Sequence, residues 1–393
     1  MNAADLLVFI SLLLPLAFIS GWWVARKNRR NDSSESAANI NPEYFKGLNY
    51  VLNEQPDKAI EVFIKMLEVD SETVETHLAL GNLFRRRGEV DRAIRIHQNL
   101  IARPNLSQEQ RSLALLELGM DYMRSGLLDR AEGLFKQLIE IGAYTARATT
   151  QLLEIYQQEK DWDNAIVYAR RLDATSDRKY DAVISQFYCE LASEHIVAGK
   201  IKEARENLRK ALNMDPRCVR ASILEAELLQ TEEKYKSALK AYKRIEKQDV
   251  DYISEVINPI LICYRKLGQL PEAIRYLKDT LQKYQGITPM LFLTELIIEQ
   301  EGEEEGIEFL SAELRKRPTV KGVDRLLKYV MREVDAEIRD KLGTIKELTG
   351  KLLDNRSAYK CQQCGFDAKL LHWQCPSCKN WTSIKPVYGV EGE

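Results

Sequence analysis

The sequence predicts an all-α protein: a superhelix of stacked helix pairs that begins with a transmembrane helix and ends in a small metal-folded domain. Three observations carry this prediction. An uncharged apolar run opens the chain, a pattern with a period near 34 residues fills the middle, and four of the seven cysteines fall within the last forty residues. At 393 residues the chain is longer than one compact core usually spans, so several units are expected.

The composition indicates helices with a surface of mixed charge. Apolar residues make up 45% and charged residues 30%, and the formal net charge is −2. Because this charge is close to neutral, the chain has no general attraction to nucleic acid, and no nucleic-acid partner is expected. Cys189, Cys218 and Cys263 are scattered through apolar helical pattern, where isolated cysteines usually act as small buried hydrophobic residues.

Residues 1–25 predict a membrane anchor. Leu6 to Val24 carry no charge, and as a helix these nineteen residues would span about 28 Å, close to the hydrocarbon thickness of a bilayer. Tryptophans end the run and four basic residues follow at once, which indicates that the rest of the chain is cytoplasmic. The alternative is a cleaved signal peptide, but the run lacks a basic leader and a small-residue cleavage pattern. Residues 26–40 are polar and are predicted to form a linker.

Residues 41–318 repeat one frame. Its anchor alanines recur at intervals of 34 to 39 residues: Ala59, Ala93, Ala131, Ala165, Ala204, Ala238 and Ala273. Two clear copies read "LGNLFRRRGEVDRAIRIHQNL" and "LGMDYMRSGLLDRAEGLFKQL". Small residues let two antiparallel helices approach, large side chains fill the gap between pairs, and the second glycine closes the turn. The frame resembles the tetratricopeptide repeat. An eighth copy is degenerate, and residues 319–356 are predicted to cap the array.

The repeat region predicts binding without catalysis. It contains no phosphate-binding glycine loop and no nucleophile motif, so the chain is not expected to be an enzyme. His97 and His195 occupy frame positions of packing residues, and a structural role is predicted for both. The run Arg85–Arg87 would suit an acidic partner peptide, but a solvated face shared with Glu89 and Asp91 is the favoured interpretation.

Two cysteine pairs near the C-terminus predict a metal site. Cys361-x2-Cys364 and Cys375-x2-Cys378 are ten residues apart, and two such turns can present four thiolates to one tetrahedral ion. The pattern resembles a rubredoxin-type knuckle pair or a zinc ribbon. It departs from rubredoxin in its short spacer and in Lys379, where a second glycine would be expected.

Four sulfur ligands leave no open position for catalysis, so one structural zinc ion is predicted, with iron as the alternative. Two disulfides would require an oxidising compartment. His372 is an alternative ligand that four cysteines make unnecessary. The domain, residues 357–393, is too small to build a core by itself, and zinc supplies about 10–16 kcal/mol in small finger peptides. Its apolar side chains form a small surface, some of which is expected to pack on the last helices or on a partner. They are Phe366, Leu370, Leu371, Trp373 and Trp381.

Over nearly its whole length the chain resembles the lipopolysaccharide assembly protein B family of Gram-negative bacteria. The resemblance is carried by "LGNLFRRRGEVDRAIRIHQ", by "QFYCELA" and by the ending "CQQCGF…LHWQCPSCKNWTSIKP". It implies a single-pass inner-membrane protein, with its bulk on the cytoplasmic side, that regulates lipid A synthesis as an adaptor. The implied partners are the membrane-bound protease FtsH and the committed-step deacetylase that FtsH degrades. The implied metal ligands are Cys361, Cys364, Cys375 and Cys378.

Two other functions fit the same residues. One is an assembly scaffold that gathers lipopolysaccharide synthesis or export proteins without controlling proteolysis. The other is a redox protein that carries iron at the knuckles. The sequence does not fix the oligomeric state, and a homo-oligomer is compatible with it.

Overall fold

A computed structural model describes residues 42–69, 73–175, 179–354 and 356–390. The predicted anchor at 1–25 and the linker at 26–40 lie outside these residues. Among the residues that are described, no helix has both the length and the apolar character needed to cross a bilayer.

The repeats form antiparallel helix pairs. The α-helices of the described ranges are α1 Pro42–Leu52, α2 Pro56–Val69, α3 Val74–Arg86, α4 Val90–Ile101, α5 Gln108–Ser125, α6 Leu128–Ile141, α7 Thr145–Glu159, α8 Trp162–Thr175, α9 Asp181–Val197, α10 Ile201–Met214, α11 Val219–Thr231, α12 Tyr235–Lys243, α13 Ile245–Gln248, α14 Ile253–Lys266, α15 Leu270–Lys283, α16 Thr288–Gln300, α17 Glu303–Lys316, α18 Val320–Glu333 and α19 Ala336–Asp354. A 3-10 turn, Val250–Tyr252, precedes α14. Repeats 1 to 5 are the pairs α1–α2 through α9–α10, and α11–α12, α14–α15 and α16–α17 follow as repeats 6 to 8. Helices α18 and α19 occupy the region predicted to cap the array.

The prediction of an all-α chain is wrong for the C-terminal domain, which contains a small sheet. Its strands are β1 Tyr359–Cys361, β2 Asp367–Ala368 and β3 Ile384–Pro386, all antiparallel, in the order β2-β1-β3. Each strand has only two or three residues, too few to show a period in the sequence, and the cysteine turns between them interrupt any pattern.

The small residues of the frame are explained by close helix approach. A Cβ atom added at Gly119 would lie 2.6 Å from a ring carbon of Phe135, which is fully buried. The same relation joins Gly47 to Phe63, and it joins Gly81 to His97. In these first three repeats a large side chain of the second helix therefore packs directly on the glycine of the first helix.

The turn between the helices of a pair requires a left-handed residue five positions before the anchor alanine. Gly126 has φ +76° there. In the fourth repeat, where the sequence has no glycine at this position, Lys160 adopts φ +60°. The turn geometry is therefore kept even where the residue is unfavourable for it.

The chain divides into two compact units, Met1–Ile155 and Tyr156–Glu393. In the first unit Phe63, Phe135 and Leu116 are fully buried. In the second unit the largest core cluster gathers side chains of repeats 6 to 8, and Leu371, Trp373 and Tyr388 of the C-terminal domain pack against it. The C-terminal domain is thus part of the second unit.

Candidate metal centre

Two equivalent knuckle turns carry the four cysteines. In the first, the backbone N–H of Gly365 donates to the C=O of Cys361 over 3.0 Å, and φ at Gly365 is +75°. In the second, the N–H of Lys379 donates to the C=O of Cys375 over 2.9 Å, and φ at Lys379 is +59°. The lysine therefore adopts the backbone conformation that glycine has in the first turn, and its presence leaves the knuckle geometry intact.

The sulfur positions fit one tetrahedral ion. The Sγ atoms of Cys361 and Cys378 are 3.7 Å apart, as are those of Cys364 and Cys375, and all four lie within 4.8 Å of one another. Zinc–sulfur bonds of about 2.3 Å set the tetrahedron edge at about 3.8 Å. His372 is exposed and does not belong to this group. All seven cysteines are free thiols.

Polar groups around the first knuckle favour the thiolate that a metal requires. Cys361 and Cys375 are buried, with 2% and 0% of their surfaces exposed. Burial favours the neutral thiol of Cys361. Nevertheless, the Ser383 hydroxyl, 3.4 Å from the sulfur, and the backbone N–H groups of Cys364 and Gln363 lower the pKa of Cys361 to about 6. The arrangement therefore stabilises negative charge at a buried sulfur before any ion binds.

Trp381 packs the domain against two stacked aromatic residues of the repeats, Trp162 and Phe187. Its ring meets Trp162 edge-to-face at a centroid distance of 6.2 Å, and it meets Phe187 in the same way at 5.8 Å. The indole N–H donates to Oε1 of Gln157 over 3.0 Å. Aromatic pairs of this geometry contribute about 0.5–1.5 kcal/mol each beyond the area that they bury.

A second aromatic contact lies on the other side of the domain. Trp373 stacks on Tyr252 at 5.3 Å, and the Tyr252 hydroxyl donates to the backbone C=O of Ile384 over 3.2 Å. The Lys385 ammonium forms an ion pair with Asp249 and lies 4.3 Å from the centre of the Tyr252 ring.

Two tyrosine hydroxyls of the C-terminal domain extend this polar contact. Tyr359 donates to Glu255 over 2.9 Å, and Tyr388 lies 3.1 Å from the backbone C=O of Asp251. These acceptors and Asp249 lie between the end of α13 and the first turn of α14.

The domain therefore lies mainly on the first helices of repeats 4 to 7 and on the 3-10 turn before α14. The expectation that it would pack on the last helices is largely wrong. Its contacts there include the bond from the N–H of Val320 to the C=O of Val390, 2.7 Å long. The contacting residues of the repeats were missed from the sequence, because single aromatic and acidic residues inside a repeat carry no signal of a distant partner.

A buried ion network joins repeats 2 and 3 in the first unit. His97 is fully buried, and its Nδ1 lies 2.5 Å from Oδ2 of Asp121. Arg85 donates to Oδ1 of Asp121 over 2.8 Å and to Oε2 of Glu117 over 2.6 Å. The structural role predicted for His97 is confirmed. The solvated-face interpretation is wrong for Arg85, although Arg86 is exposed as it implies.

The cysteines of the repeats are buried, and His195 is partly exposed. Cys189 and Cys263 are fully buried and Cys218 is 2% exposed, which confirms the prediction of small buried hydrophobic residues. His195 is half-buried near the end of α9.

Fold and site together define a class: helical-repeat scaffolds whose C-terminal four-cysteine domain is built into the repeats. A model of the rubredoxin metal binding domain matches residues 359–386, and tetratricopeptide-repeat models match residues 76–109 and 189–251. A PPR-repeat model matches residues 121–142.

Curated relatives narrow this class to one family. Lipopolysaccharide assembly protein B of Escherichia coli (strain K12) is 36% identical over 388 residues, which cover 98% of this chain and 100% of that protein. The protein of the same name from Haemophilus influenzae is 36% identical over 390 residues, covering 97% of this chain and 98% of its own length. The chain belongs to the lipopolysaccharide assembly protein B family.

Proposed function

We propose that the chain is a non-enzymatic adaptor that restrains lipid A synthesis by promoting FtsH-dependent degradation of the committed-step deacetylase. Membership of the family along nearly the whole chain carries the proposal, because the relatives bear the name of a lipopolysaccharide assembly protein. Stacked helix pairs support it, since they offer extended surfaces for protein partners. The predicted anchor at 1–25 would confine the adaptor to the inner membrane and raise its effective concentration near a membrane protease.

We further propose that Cys361, Cys364, Cys375 and Cys378 hold one structural zinc ion, with iron as the alternative. When bound, the ion supplies the bonds that fold a domain too small to build its own core. The chain's own residues then do the rest. Trp381 and Trp373 hold the folded domain against the first helices of repeats 4 to 7. The role of the metal is thus to keep this face of the repeats in one arrangement for its partners.

Depletion of the protein tests the adaptor role. The deacetylase half-life, followed after synthesis is blocked, should lengthen on depletion and return to normal when the wild-type chain is restored. An unchanged half-life combined with co-purification of several lipopolysaccharide synthesis or export proteins would favour the assembly scaffold instead.

Metal analysis of the purified full-length chain tests the site. We expect about one zinc per chain and no visible absorption. A coloured protein with stoichiometric iron would indicate the redox alternative.

A further inference from the structure

A basic groove lies between the second helices of repeats 6 and 7. It is a cavity of about 920 Å³, within the size range of ligand pockets. Six cationic side chains line it and only two acidic ones, Glu246 and Asp279. The cationic residues are Lys236, Lys240, Lys243, Arg244, Lys247 and Lys283.

Most of the positive charge in this groove is unpaired. Arg244 is neutralised by Glu225, 3.0 Å away, and Glu246 is engaged by the hydroxyl of Tyr276. By contrast, Lys236, Lys240, Lys247 and Lys283 form no ion pair with any residue in the described ranges. Some exposed cations nearby do pair with an acid, as Arg205 of repeat 5 does with Glu232 of repeat 6 at 2.5 Å. Four unpaired lysines around one cavity leave its charge available to a ligand.

The groove is preformed, because contacts with buried aromatic rings hold the side chain of Lys243 in place. Lys243 lies 5.2 Å from the ring centre of Tyr264 and 4.7 Å from that of Tyr276, which hold its ammonium group in place. Leu239, Val250 and Ile253 add apolar surface to the lining. The site therefore offers positive charge beside apolar contacts.

The groove and the C-terminal domain contact mainly different helices. The domain covers the first helices of repeats 4 to 7, the face on which helical repeats of this kind would otherwise present a groove. The basic cavity is lined mainly by α12, α13 and α15, with Val250 and Ile253 at its edge, and none of its lining residues belongs to the C-terminal domain, so it stays accessible while the domain is docked.

We infer that this basic groove binds an acidic segment of a partner protein that carries apolar residues between its carboxylates. Lysine ammonium groups are point charges that suit single carboxylates, whereas phosphate recognition favours the bidentate fork of arginine. Tyr276 is buried, with 8% of its surface exposed, so it offers no open ring face for stacking nucleic-acid bases. Lys236 to Lys247 span about 17 Å along their helices, which about five residues of extended peptide would match.

The binding test uses the full-length chain and a fluorescent peptide of about eight residues that alternates Glu and Leu. Binding is followed by fluorescence anisotropy. The double variant Lys240→Glu with Lys247→Glu should weaken binding about tenfold or more, because attraction at two positions becomes repulsion. The matched control, Lys202→Glu with Lys278→Glu, makes the same charge change at exposed positions outside the groove and should bind like the wild type.

Further measurements make the outcome decisive. Raising the salt concentration from about 0.05 M to about 0.3 M should weaken binding, and a Gln–Leu peptide should not bind. If reversal disturbs folding, as judged by the melting temperature, the neutral variant Lys240→Gln with Lys247→Gln should still weaken binding about threefold. Equal peptide affinity in the groove and control variants would overturn the inference. So would binding of inositol hexakisphosphate or single-stranded RNA at this groove without binding of the acidic peptide.

Discussion

Replacing Trp381 with alanine should loosen the C-terminal domain from the repeats without removing its metal. The substitution deletes two edge-to-face contacts, with Trp162 at 6.2 Å and Phe187 at 5.8 Å, and one hydrogen bond to Gln157 of 3.0 Å. At about 0.5–1.5 kcal/mol for each aromatic pair and about 1 kcal/mol for the hydrogen bond, the loss is about 2–4 kcal/mol of unfolding free energy.

Urea denaturation followed by far-ultraviolet circular dichroism measures this loss, with metal content determined in parallel. Trp381→Phe keeps a ring and loses the N–H donor, so it should cost about 1 kcal/mol. Leu370→Ala is the matched control in the same domain, because Leu370 is 72% exposed. It should change the unfolding free energy by less than about 0.5 kcal/mol.

A double-mutant cycle isolates the aromatic contact. Trp381→Ala and Phe187→Ala should be coupled by about 0.5–1.5 kcal/mol. The reasoning fails if Trp381→Ala costs no more than Leu370→Ala, or if the two effects add independently. Loss of metal from Trp381→Ala would show that docking and metal binding are one event.

Three further predictions concern the repeats and the knuckles. Gly119→Ala should destabilise the first unit by about 1–3 kcal/mol, because the new Cβ atom would lie 2.6 Å from the buried Phe135 ring. The control is Gly133→Ala, whose Cβ atom would meet nothing within 4 Å, and it should raise the melting temperature slightly. Lys160→Gly should stabilise the chain by up to about 1 kcal/mol in urea titrations, because it relieves a left-handed lysine at φ +60°, and an unchanged midpoint would contradict that strain. Replacing both cysteines of the first knuckle with serine should abolish metal binding and expose the C-terminal domain to limited proteolysis, and retention of a full metal equivalent would contradict the ligand assignment.

The repeat architecture was predictable because its determinants are local and recur. The anchor alanine and the left-handed turn before it return through the repeats, and the first three pairs add a glycine with a ring side chain sixteen residues later. His97 shows the limit of that logic. It occupies the position that Phe63 and Phe135 hold in neighbouring repeats, but its burial depends on Asp121, a residue of the next repeat. The repeat period predicts that residue 97 packs inside the helix pair, but it does not predict the polar network around His97.

The four-cysteine site was equally accessible to sequence reasoning, since two Cys-x-x-Cys turns at short range suffice to bring four sulfurs together. The backbone conformation of Lys379 could not be predicted from the sequence. Only the backbone shows that it takes the same left-handed conformation as Gly365, so the departure from the rubredoxin pattern leaves the knuckle unchanged.

By itself, then, the sequence determined the helix pairs and the grouping of the four cysteines, because each depends on residues close together or regularly repeated. Tertiary structure decided where the C-terminal domain docks and which surface of the repeats it leaves uncovered. Trp381 meets Gln157 across 224 residues of chain. Such a contact depends on the shapes and charges of two finished surfaces, and no periodic or short-range pattern records it.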